Sequence, residues 1–77
     1  MKTKEEIDKA IETFELQATL FRAAGNDEHY LRSMFALSAL TWASDRDDHP
    51  AFSIFSDLVD KSNGINDEML KSLTENN

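Results

Sequence analysis

Met34-Phe35-Ala36-Leu37-Ser38-Ala39-Leu40-Thr41-Trp42-Ala43 carries no charged side chain on any face of the helix it is expected to form. A helix that is apolar all round has to be covered all round, by its own chain or by a partner. In 77 residues the cover is scarce. The stretch therefore decides two things, an all-helical fold built around this segment and a surface through which the protein associates.

Upstream, Thr3-Lys4-Glu5-Glu6 has the pattern of a capping box, with Glu5, Glu6 and Asp8 placed where the helix dipole favours negative charge. Ile7, Ala10, Ile11, Phe14, Ala18, Phe21 and Ala24 follow at helical spacing and define a core-facing stripe. Leu16, Leu20 and Ala23 form a second, shorter stripe, so the later turns of this helix are expected to be covered on two sides. Gly25 accepts a left-handed cap without steric penalty and should end the helix. Asn26 or Asp27 can then cap a second helix, in which Tyr30, Leu31, Met34, Phe35, Leu37 and Leu40 lead to about Ala43 or Ser44. So short a connection makes the two helices an antiparallel hairpin.

Downstream, Asp45-Arg46-Asp47-Asp48-His49-Pro50 breaks the apolar pattern. Proline suits the first turn of a new helix, which Asp47 or Asp48 would cap or flank. Ala51, Phe52, Phe55, Leu58 and Val59 give that helix one narrow apolar face, and Asn63-Gly64 is expected to end it. Asn66-Asp67-Glu68 signals another start, with Met69, Leu70 and Leu73 before a polar tail, Thr74-Glu75-Asn76-Asn77. The expectation is a single all-α domain of three to four helices, over about 4–24, 27–44, 50–62 and 67–74, built on an antiparallel helical hairpin. The fourth helix is too short to persist without docking.

Composition narrows the function. The chain has no cysteine, which excludes disulfides and thiolate metal sites. Of the usual supports for a domain near the lower size limit, oligomerisation remains. Eight Lys and Arg against 15 Asp and Glu give a net charge of -7, and the basic residues are dispersed. Direct nucleic-acid binding needs them clustered, so none is expected. No stretch approaches the ~18 consecutive apolar residues of a membrane span, and the charged start lacks a signal-peptide core. A cytoplasmic protein that does not bind membrane is expected.

Three clusters could carry chemistry. Asp45 to His49 has metal-ligand side chains but lacks the calcium-loop signature, since Pro50 stands at the glycine position and Ser56 at the last carboxylate position. It reads as an anionic linker, with no metal and no cofactor expected. His29 and Ser33, one helical turn apart, could touch, but serine catalysis needs a third orienting group and an oxyanion hole. No enzyme is expected. Glu5, Glu12 and Glu15, with Asp45, Asp47 and Asp48, form an acidic face like that of small inhibitors that imitate DNA phosphates, although Lys2, Lys4 and Lys9 interrupt it.

The stretch Leu20-Phe21-Arg22-Ala23-Ala24-Gly25-Asn26, followed by Ala36, Ala39 and Ala43, resembles one helix-turn-helix unit of a tetratricopeptide repeat in its hairpin geometry. It lacks the Trp-Leu-Gly-Tyr pattern of that family's first helix, so the likeness is one of hairpin shape and implies no membership. The sequence points to a non-enzymatic adaptor, chaperone-like or regulatory protein that meets a protein partner, expected to form a homodimer. Met34, Leu37, Leu40, Thr41 and Trp42 are the expected interface. The alternative is an acidic antagonist, phage- or plasmid-encoded, occupying a basic groove of a nucleic-acid enzyme.

Overall fold

Three helices make up the computed structural model, which describes residues 1–75: α1 (Lys4–Ala23), α2 (Asp27–Ala43) and α3 (Phe52–Glu75). Asn76 and Asn77 of the expected polar tail lie outside the described residues.

The start of α1 is the capping box read from the sequence. The Glu6 N–H donates to the Thr3 hydroxyl oxygen at 3.2 Å, and the Glu6 carboxylate accepts from the Thr3 N–H at 3.3 Å. These bonds to Thr3, first to its backbone and then to its hydroxyl, together with Lys2, hold the Glu6 carboxyl below the ordinary glutamate range. Gly25 ends the helix at φ +72, with its N–H on the Arg22 carbonyl and the Asn26 N–H on the Phe21 carbonyl. That is a Schellman closure with glycine in the left-handed position. Asn26 then caps α2, accepting from the His29 N–H at 3.2 Å. Two ring contacts brace the turn: Phe21 against His29 at 5.0 Å, and Arg22 over the Tyr30 ring at 5.8 Å.

α2 ends in the same way, with a residue the sequence reading treated only as linker charge. Asp45 has φ +59; its N–H reaches the Trp42 carbonyl and the Arg46 N–H reaches the Thr41 carbonyl at 2.8 Å. Aspartate is among the few residues other than glycine that visit this conformation routinely. Arg46 then ties the turn to α1 through the Asp8 carboxylate at 3.1 Å. The start of the next helix is served by His49, not by Asp47 or Asp48: its Nδ1 accepts the Ala51 N–H at 3.0 Å, and its carbonyl accepts the Phe52 N–H.

α1 packs along α2, and α3 packs on α2 without reaching α1. Ile11, Leu37 and Ala51 form the sealed core, bordered by Ile7, Phe14, Met34 and Leu40. Ser33, Ser38 and Thr41 are buried with them. Their hydroxyls donate to carbonyls of their own helix, on His29, Phe35 and Ser38, at 2.8 to 3.0 Å. Bonding back this way removes the penalty for burying a hydroxyl, and the small side chains let the helices approach closely.

Two expectations are corrected. The third and fourth helices are one: α3 continues through Asn63 and Gly64. A glycine costs an exposed helix only ~1 kcal/mol, whereas Leu58, Ile65, Met69 and Leu73 keep one helical face in phase across it. The second stripe of α1 is not covered either, since Leu16 and Leu20 are exposed. α3 does not reach α1, so nothing lies over them. From Lys61 to Glu75 α3 is exposed at every position. The radius of gyration is accordingly 16.1 Å, against ~11 to 12 Å for a compact chain of this length.

Candidate interaction surface

The residues expected at the interface fall on different sides of α2. Leu37 packs with Ile11 of α1, and it and Thr41 are sealed, at 4% and 0% exposure, so neither is available to a partner. Met34 and Leu40 are half-buried at the border of the core. Trp42 alone of the five is exposed, its ring 5.1 Å from that of Phe55 on α3. An uncharged helix gives no indication of which face its neighbour takes. Here Leu37 packs with Ile11 of α1, and the bulky Leu31, Phe35 and Trp42 are left exposed.

α3 joins that outward face. Tyr30, Leu31, Met34, Phe35 and Ile54 line one shallow apolar hollow, and Phe35, Ile54, Asp57, Leu58 and Lys61 line the next. The two share Phe35 and Ile54, so they form a continuous groove along the crossing of α2 and α3. Beyond it the stripe of Ile54 and Leu58 continues into Ile65, Met69 and Leu73, about two, three and four turns past Leu58 on the same face. These side chains are 41 to 62% exposed. The sequence pattern puts Leu58 on the narrow apolar face of a third helix and Met69 and Leu73 in a short fourth, and singles out neither Ile54 nor Ile65. The signal that would have found them is the seven-residue step from Leu58 to Ile65, which keeps phase only if the helix does not stop.

The other candidate clusters come apart. Ser33 donates its hydroxyl to the His29 carbonyl at 2.9 Å, while the His29 ring meets the Asn26 side chain at 3.0 Å, so the two side chains are not a nucleophile and its base. Among the described residues no three carboxylate, imidazole or thiol side chains converge as a metal site would require. The acidic residues are exposed but dispersed among counter-charges: Glu12 with Lys9 at 3.8 Å, Glu15 with the His49 ring at 3.8 Å, and Asp48 with Arg46 at 3.5 Å. Glu5, Asp45 and Asp47 have solvent around them. No described helix is long and apolar enough to cross a membrane.

Comparison with known proteins gives no match: no family model fits the sequence, and no curated protein or solved structure is significantly similar to it.

Proposed function

We propose that this protein is a non-enzymatic interaction module of the cytoplasm, an adaptor, chaperone-like or regulatory protein that meets a protein partner through an apolar helix surface. The observation that carries this reading is the uncovered stripe from Leu31 and Phe35 through Ile54 and Leu58 to Ile65, Met69 and Leu73. Contiguous apolar surface of this extent marks interaction sites in small proteins. Trp42, at the edge of the stripe, is the residue of the original five that stays in the interface. The net charge of -7 leaves no basic patch for nucleic acid, which keeps protein as the partner class.

The test compares two variants in capture from the native host. Met69→Glu places a charge in the stripe at a position with no neighbours to disturb. Glu5, Glu12 and Glu15 changed together to Gln remove the acidic face of α1. Loss of the captured protein with the first variant and its retention with the second, including at high salt, supports the apolar surface. The opposite pattern supports occupation of a basic groove, because charge-driven binding is screened by salt.

A further inference from the structure

The outer half of α3 poses a physical question. Residues 61–75 are exposed throughout and include Asn63, Gly64, Asn66 and Asp67, all poor helix formers. An isolated helix of ~12 to 15 residues is marginal even with better sequence. This half needs cover, and the groove between α2 and α3 needs an occupant.

We propose that one occupant answers both, a second copy of this chain, with α3 pairing antiparallel across a two-fold axis that passes level with Asn63 and Gly64. The inference rests on the apolar-surface reading above and names the partner for it. In this register Ile54 meets the partner's Leu73, Leu58 meets the partner's Met69, and Ser62 meets the partner's Ile65. Each contact recurs with the copies exchanged, as a two-fold interface demands. The outer half of each α3 then lies in the groove that Phe35, Ile54, Leu58 and Lys61 line on the other copy.

Charge and area favour this partner. Lys61 and Glu68 sit at the edge of the stripe, and the antiparallel register sets Lys61 beside the partner's Glu68 twice. In a parallel pair Lys61 would face the partner's Asn66 and Glu68 the partner's Leu73, leaving both charges unmatched. Leu31, Phe35, Ile54, Leu58, Ile65, Met69 and Leu73 are each roughly half exposed. At on the order of 100 Å² apiece they offer ~700 Å² per copy, close to the ~800 Å² per partner of a stable interface. A lipid surface is the poorer occupant: α3 bears Asp57, Asp60, Asp67, Glu68 and Glu75 against Lys61 and Lys71, whereas interfacial helices are basic on the polar face.

The absence of cysteine makes the register directly testable. Sedimentation equilibrium of the wild-type chain should give a dimer, and Met69→Glu should raise its dissociation constant by at least ~30-fold, as for a hot-spot residue. Lys61→Glu should weaken the dimer and Glu68→Lys added to it should restore it. Under mild oxidation, Leu58→Cys and Met69→Cys chains should cross-link when mixed and not when alone. A monomer at several hundred micromolar overturns the proposal, as does self-linking of each single-cysteine chain, or binding of monomers to neutral or anionic phospholipid vesicles. If the chain is monomeric yet Met69→Glu still loses a captured host protein, the second copy is excluded while the apolar-surface reading stands.

Discussion

In the packed body of the fold, the side chains sealed from water include Ser33, Ser38, Thr41 and Ala18 beside Ile11 and Leu37. On the outer half of α3, Ile65, Met69, Leu70 and Leu73 stand 56 to 62% exposed. Judged by composition, the polar seam should be the surface and the apolar stripe the core. The difference lies in what each side chain does with its surroundings. A hydroxyl that bonds its own helix behaves as a small, satisfied filler, so the hairpin closes tightly over few large groups. The bulky apolar residues on the outer half of α3 have no other element of their own chain over them.

The sharpest way to break this comparison is truncation on each side at low protein concentration. Leu37→Ala should cost ~2 to 4 kcal/mol in urea unfolding, the range for a sealed leucine. Leu70→Ala, outside the core, should stay within ~0.5 kcal/mol. Equal losses would mean that α3 is covered within the single chain. Gly25→Val tests the hairpin closure: a β-branched residue at φ +72 should lower stability by at least ~1 kcal/mol, read from thermal melts. Gly64→Ala should have the opposite sign. Gly64 is in mid-helix, and an added Cβ would meet nothing within 4 Å. A gain of ~0.5 to 1 kcal/mol or added helicity by circular dichroism is expected, and destabilisation would revive the break between two short helices.

The smallest effect belongs to Glu6. Its carboxyl titrates lower in the folded chain than in the unfolded one, because Thr3 donates to the ionised form. The contribution is therefore fully present above the unfolded glutamate value and fades as pH falls through the folded one. Thr3→Ala should move the Glu6 titration midpoint upward, as read by NMR, with little change in global unfolding.

The hairpin was legible because its signals are local and mutually consistent: Thr3 with Glu6, Gly25, then Asn26. The extent of α3 was not, because Asn63-Gly64 and Asn66-Asp67-Glu68 are equally local signals of a stop and a start. There α3 runs on through four weak helix formers, and the apolar face that stays in phase across them has no cover from its own chain. The turn between α2 and α3 hid its device too, since nothing in composition distinguishes the αL residue Asp45 from the neighbouring aspartates. Of the expected interface only Trp42 is exposed, because an uncharged helix conceals which of its faces the first neighbour will take. Leu58, Met69 and Leu73 were legible as apolar helix positions, but Ile54 and Ile65 were not, because Ile65 joins the stripe only when the helix is continuous.

The ties in the turn between α2 and α3 also set a direction. α3 extends from Phe52 to Glu75, ~36 Å at 1.5 Å per residue, and is anchored only near its first turns. Its aim is held by Arg46 on Asp8 and by the His49 ring on the Ala51 N–H. A tilt of ~10° at that anchor would swing the far end by ~6 Å, more than the rise of one helical turn. The helix is thus a lever whose pivot, the Trp42–Phe55 contact and a few polar ties, lies far from its outer end, and a substitution at Arg46 would be felt at Leu73, where no atom had changed.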